Sequence, residues 1–249
     1  MEPLPLMSAP ASDVVALPPL PPAGETRQRI IETALRLFAE HGFRGVSVRD
    51  LSTAAQVNVA AINYHFGSKQ GLYRTIFETV LDEDEGRFAG QIDHVTTLLG
   101  RAASDRDLLR VAVESLAGYL AGRLSGPDYR RWFGLLVARE LAFPGELFDL
   151  LYHRRTEPVL RLLAQLVGAA RGLPPACESV CLTANLLHGH MASLVLASPI
   201  LRHQLGWDHY SEERLAQLTC TITDIICSAI GLGSVQDPKT PRAVTGEPA

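Results

Sequence analysis

The stretch VNVAAINYHFGSKQGLY, residues 57–73, decides how the chain is read. Asn58, Asn63, Tyr64 and His65 fall on about two helical turns, with Val59, Ile62 and Phe66 at helical spacing among them. The pattern breaks at Gly67-Ser68 and restarts at Lys69. A segment built only for a core has no use for so many hydrogen-bonding side chains. An enzyme loop has no use for the regular apolar spacing. The stretch therefore reads as a short polar helix, capped by Asn58 and running through Phe66, followed by a second helix capped by Ser68.

Upstream, Ile30, Ile31, Ala34, Leu35, Leu37 and Phe38 form an apolar stripe, and Gly42 is placed to stop that helix. Ser47 with Asp50 three residues on resembles a capping box, and Val48, Leu51 and Ala55 are expected to face inward. Downstream, Leu72, Tyr73, Ile76, Phe77 and Val80 form one face of a fourth helix. Sustained two-residue alternation is absent from the sequence, so the fold class is all-α. Short helices with a tight turn between the second and third describe a helix-turn-helix. Its second member enters a major groove and its first braces the backbone. Asn63 can donate and accept, which suits adenine, and Val59, Ala60 and Ala61 let the backbone come close to a thymine methyl. Tyr64, His65 and Lys69 suit phosphate oxygens, with Ser47 and Arg49 approaching from the brace helix. On this reading Lys69→Ala weakens binding to all sequences alike and lowers the salt slope by about one unit.

Residues 25 to 85 resemble the N-terminal DNA-binding domain of TetR-type transcriptional regulators. The carrying residues are the LRLFAEHG helix end, the VRDL brace helix and the YHFGSKQGLY junction. The resemblance implies that Ser47, Val48, Arg49, Asn58, Val59, Ala60, Asn63, Tyr64, His65 and Lys69 meet DNA. Two positions depart from the family pattern. Gln56 stands where a turn glycine is usual, and a non-glycine residue in a left-handed turn costs roughly 1 kcal/mol. Asn63 stands where tyrosine is usual, which alters base preference. The body, through RWFGLLVARELAFPGELFDLLYHRRTEPV (residues 131–159), is similar to the CecR-like subgroup. That likeness implies a homodimer formed through the last two long helices and a small-molecule effector held in the body.

Composition agrees with a two-part chain. The 249 residues carry a formal net charge of −4, yet residues 25–80 hold seven basic residues against five acidic ones. A mildly basic module sits on an acidic body. Seven of 16 prolines fall in residues 1–23, an arm without Arg or Lys that reads as a disordered tail, and residues 234–249 read as a second tail. The expected organisation is tail 1–23, DNA-binding domain 24–84, effector-binding and dimerisation domain 85–233, tail 234–249. A signal peptide is not evident and no apolar stretch reads as a bilayer span, so the expectation is a soluble, cytoplasmic protein without a membrane partner. Cys177, Cys181, Cys220 and Cys227 are expected to be reduced and buried.

Beyond residue 85, helices are expected at 86–100, 105–124, 127–142, 145–170, 175–197 and 211–231, with Pro127, Pro144, Pro174-Pro175 and Pro199 at boundaries. On the last two, Leu187, Met191 and Leu194 with Leu218, Ile222 and Ile225 are expected at the dimer interface; ordinary core is the alternative. Trp132, Phe133, Glu140, Phe143 and His188 are the candidate effector ligands, with Glu140 beside Arg139 also readable as a structural pair. His188 and His190 point apart on a helix, so no metal is expected beside Cys177 and Cys181. No nucleophile elbow, glycine-rich phosphate loop or zinc-protease motif is present, so no catalytic residue or cofactor is expected. The sequence is read as a ligand-responsive, operator-binding regulator, more in the manner of a repressor; the alternatives are an effector-independent or activating DNA-binding protein, or a small-molecule enzyme.

Overall fold

The computed structural model describes residues 23–102, 105–125 and 128–233. The expected tails lie outside these residues, apart from Ala23, which opens the first helix. Helices α1 (Ala23–Gly45), α2 (Val48–Ala54) and α3 (Val59–Phe66) are followed by α4 (Lys69–Ala102), α5 (Arg106–Leu124) and α6 (Asp128–Ala142). A short α7 (Phe148–Leu151) passes through one π-helical turn (Tyr152–Thr156) into α8 (Glu157–Arg171); α9 (Glu178–Leu205) and α10 (Glu212–Ile230) complete the order. The described residues contain no strand, as the fold class requires.

Two apolar cores hold the helices. One gathers Ile30, Phe38, Leu51, Ile62, Leu72 and Phe77 from α1–α4, and is closed by Phe133, Leu136 and Leu151 from the body. The other gathers α4, α5, α8, α9 and α10 around residues such as Val95, Ala112, Leu163, Val180 and Ile226. Gly42 breaks α1 where expected, at φ 76°; a Cβ there would meet the Arg139 guanidinium at 2.6 Å.

Three helix boundaries differ from the sequence reading. The fourth and fifth expected helices are one 34-residue rod, α4, so the boundary anticipated at residue 84 falls inside a continuous helix. Nothing in residues 80–90 is a helix breaker other than Gly86 and Gly90, which a packed helix tolerates. The helix expected over 145–170 is interrupted by the π turn just before Pro158; proline lacks an N–H and clashes with the carbonyl four residues back, and a widened turn relieves both. Helix α9 runs through Pro199 to Leu205 instead of ending at residue 197.

Helix α9 departs from the expectation that no apolar stretch is long enough to span a bilayer. It is long and apolar enough to cross a bilayer by length and composition, and only 22% of its most apolar window is buried. Its inward face carries Val180, Ala184, Leu187 and Met191, while Leu182, Leu186, Leu196 and Ile200 face outward. The cysteine expectation needs revision too: of the four free thiols only Cys227 is buried, with Cys177 half-buried and Cys181 and Cys220 exposed.

Candidate nucleic-acid interface and effector cavity

The reader is assembled from local chemistry. The Ser47 hydroxyl accepts the Asp50 N–H at 3.1 Å, and the Asp50 carboxylate accepts the Ser47 N–H at 2.8 Å, which closes the capping box of α2. These bonds hold the Asp50 carboxyl below its ordinary range. Gln56 adopts φ 53°, the left-handed turn, and Val57 N–H then reaches back to the Ser52 carbonyl at 2.9 Å. Asn58 Oδ1 accepts the Ala61 N–H at 2.6 Å and starts α3. The fully buried Ile62 fixes the rotation of α3 in the core. Val59, Ala60, Asn63 and Tyr64 are thereby turned outward, and Tyr64 is 85% exposed.

After α3 the chain turns at Gly67 (φ 73°), and the Ser68 hydroxyl accepts the Gly71 N–H at 3.0 Å. Gly71 is required: a Cβ there would lie 2.0 Å from the Phe66 carbonyl oxygen. The expected DNA residues fall into two groups. Ser47, Arg49, Asn58, Val59, Ala60, Asn63 and Tyr64 are exposed, whereas Val48 and His65 are half-buried, Val48 against the N-terminal core and His65 between the rings of Tyr64 and Phe66.

Lys69 makes contacts that the sequence pattern did not indicate. Its ammonium donates to the carbonyls of Phe43 and Val46, both at 2.9 Å, and lies 4.2 Å from the Phe43 ring centroid. It ties the start of α4 to the end of α1 and the α1–α2 link. The reason is local: the end of α1 presents carbonyls that lack helical partners, and a cation satisfies them.

In the body, a cavity of about 480 Å³ lies among α4, α5, α6, α8 and α9. Of the candidate effector ligands, Phe133 and His188 line it. Burial holds the His188 imidazole below its ordinary pKa. The other three do not reach it. Glu140 is buried, but its Oε1 accepts the N–H groups of Gly145 at 3.0 Å and Leu147 at 3.1 Å. It thus caps the turn before α7 and is not paired with Arg139, whose guanidinium reaches the Glu40 carbonyl. Burial, then the nearby Glu140, pushes the Tyr73 hydroxyl up to about 12. Trp132 borders a separate hollow beside Ile31 and Leu35, and Phe143 is 82% exposed.

Sequence reasoning missed the cavity's arginines, Arg123, Arg130, Arg131, Arg155 and Arg202. A signal existed: Arg123, Arg130 and Arg155 have no acidic residue three or four positions away, so none has a local helical ion-pair partner.

The expected dimer residues are also redistributed. Leu187, Met191, Leu218 and Ile222 are buried within the single chain, and Leu194 is half-buried against the same core. Only Ile225, 45% exposed, faces outward. Both faces of α9 are apolar, and the residues expected at the interface lie on the inward one.

A short, capped helix that presents polar and small residues to solvent, braced by a second helix across a left-handed turn, is a helix-turn-helix DNA-binding module. Comparison with known proteins is in accord. Residues 30–76 match the family of bacterial regulatory proteins, tetR family, and residues 105–231 match the C-terminal domain of the HTH-type transcriptional dual regulator CecR. The CecR of Shigella flexneri is 24% identical over 199 residues, spanning 80% of this chain and 88% of its own. The HTH-type transcriptional repressor AcnR of Corynebacterium glutamicum is 42% identical over 138 residues, spanning 55% of this chain and 54% of its own. Among solved structures, AibR in complex with isovaleryl coenzyme A and operator DNA shares the fold at a TM-score of 0.53 and 14% identity, over 80% of this chain and 97% of AibR. The chain belongs to the TetR family of DNA-binding transcriptional regulators.

Proposed function

We propose that this regulator is a homodimeric repressor released from its operator by a small molecule. The carrying observation is that one helix serves both halves. Helix α4 is separated from α3 by only two residues, packs in the core of the reader, and continues into the core that surrounds the cavity. Residues 24–84 act as reader and 85–233 as effector-binding and dimerisation body, joined by that rod and without a linker. Two copies set their α3 helices in successive major grooves, about 34–36 Å apart. An effector that favours a dimer with another spacing releases the DNA. Moving the population from mostly bound to mostly released requires a preference of about 5.5 kcal/mol between the two forms.

The dimer forms on the outward stripe of α9, Leu182, Leu186, Leu196 and Ile200, joined by Ile225 of α10. Asn185, Gly189, His190 and Ser193 interleave with that stripe and are also exposed. Polar groups so placed suit a partly wet protein interface. The protein accordingly works as a soluble cytoplasmic dimer. The name of AcnR supports repression, whereas "dual regulator" in the name of CecR favours a second reading, activation at some promoters.

The test is fluorescence anisotropy of the purified chain with the intergenic DNA upstream of its own gene, against random DNA, at two salt concentrations. Tight, salt-sensitive binding that favours the upstream fragment is expected. Equal, weak binding to both fragments, and to sites selected from a random pool, would refute the reading.

A further inference from the structure

The cavity lining is strongly asymmetric. Phe88, Ile92, Leu116, Val159 and Met191 make much of it apolar. Its cationic and basic members are five arginines and two histidines, His188 and His209, beside the neutral phenols of Tyr119 and Tyr210, with no Asp or Glu among the described lining residues. In a chain with 27 acidic against 23 basic residues, that is a marked local excess of positive charge.

The nearest carboxylates stand behind the wall, on α4. Asp84 Oδ2 accepts from Arg123 at 2.6 Å, and Glu85 accepts from Arg155 at 2.9 Å. Arg130 is left over. Its nearest carboxylate oxygen among the described residues is Asp84 Oδ1, at 3.9 Å and beyond hydrogen-bond reach. That oxygen is itself buried without a hydrogen-bond partner among the described residues. A largely desolvated guanidinium at the edge of an apolar space is costly until an anion pairs with it.

We infer that the cavity takes an amphipathic anion, with its apolar body against the apolar lining and a carboxylate or phosphate head on Arg130 and Arg123. This rests on the reading of the body as an effector site. The planar, five-donor guanidinium suits either head group in a bidentate grip. Arg123 already holds Asp84 of α4, so the ligand head and α4 compete for one guanidinium. The ligand charge thus acts at the link that ties α4 to α5, on the helix that starts beside the DNA reader.

The test uses the full chain without DNA, in calorimetric titrations with octanoate, octyl phosphate and 1-octanol, three probes with one chain length and different heads. At least one anion should bind tenfold or more tighter than octanol, about the worth of one charge-assisted hydrogen bond. Arg130→Gln should remove that preference and leave octanol binding unchanged, which also shows that the cavity is still folded. Asp84→Asn, which frees Arg123, should tighten the anion. Octanol binding as tight as both anions would overturn the inference, as would a preference that survives Arg130→Gln, or no binding by any probe at millimolar concentration. None of these results bears on operator binding, whose own failure would appear in the anisotropy assay instead.

Discussion

Lys69 offers the sharpest contrast between two readings of one residue. As a phosphate contact, its removal would lower the salt dependence of operator binding by about one unit. In the structure its ammonium instead bridges the carbonyls of Phe43 and Val46 at 2.9 Å each, under the Phe43 ring. A hydrogen bond to a charged group contributes about 1.5–3 kcal/mol, and because one charge serves both acceptors we take about 3 kcal/mol for the pair. The ring adds about 0.5–1 kcal/mol. Lys69→Met keeps the aliphatic stem, removes the charge and leaves both carbonyls short of a donor. The expected result is a loss of about 3 kcal/mol in urea unfolding of the reader, with the slope of log K against log salt unchanged. A slope reduced by about one unit with undiminished stability would refute the reasoning: the ammonium would then leave the carbonyls for a phosphate when DNA arrives.

Four further outcomes are expected. Gln56→Gly should raise stability by up to about 1 kcal/mol, because the left-handed turn at φ 53° costs roughly 1–2 kcal/mol for a side chain and glycine returns part of that as unfolded-state entropy; a loss in denaturant midpoint would mean that the Gln56 side chain has a role of its own. Asn63→Ala should relax discrimination at one base pair, at a cost of roughly 1–3 kcal/mol, in binding to a set of single-substitution operators; undiminished discrimination at every position would reject the contact. Leu186→Glu, at a site 75% exposed, should give folded monomers in sedimentation velocity, whereas Leu187→Glu, at a site 6% exposed, should unfold the body; a dimer that survives Leu186→Glu would discard the outward face of α9. Glu85 is held below its ordinary value of 4.5, chiefly by the hydrogen bond from Arg154. Its contribution is therefore present above that value and lost as pH falls, so the stability difference between wild type and Glu85→Gln should exist at neutral pH and vanish on acidification.

The reader was legible because its signals are local. Ser47 with Asp50, Asn58 with Ala61 and Ser68 with Gly71 are contacts within three residues, and each formed as the sequence implied. Ile62 lies among polar or small neighbours, so the inward face of α3 could be identified directly. The carbonyl contacts of Lys69 were not legible because its partners lie 23 and 26 residues away, where only the packed α1 end brings them within reach. Continuity of α4 was hidden for a different reason: a polar stretch from Asp82 to Arg87 looks like a linker, yet Asp82, Asp84 and Glu85 within it are groups that Arg123, Arg154 and Arg155 hold.

Helix α9 shows where periodicity stops being informative. An inward stripe and an outward stripe are both apolar, since a core and a subunit interface bury side chains for the same physical reason. The rotation of such a helix is set by which stripe meets α8 and α6, a property of the whole body and not of residues 178–205 alone. Charged residues carry the information that apolar ones lack, because an unpaired charge is costly wherever it is buried. Arg123, Arg130 and Arg155 lie on α5, α6 and the π turn, far apart in sequence and without acidic neighbours three or four residues away. Packing brings them to one cavity wall, where Asp84 and Glu85 answer Arg123 and Arg155, and Arg130 stays beyond hydrogen-bond reach of any carboxylate among the described residues. Removing the Arg130 charge alone should therefore cost the unliganded protein little stability, whereas removing Arg123 should strand Asp84 and loosen α4.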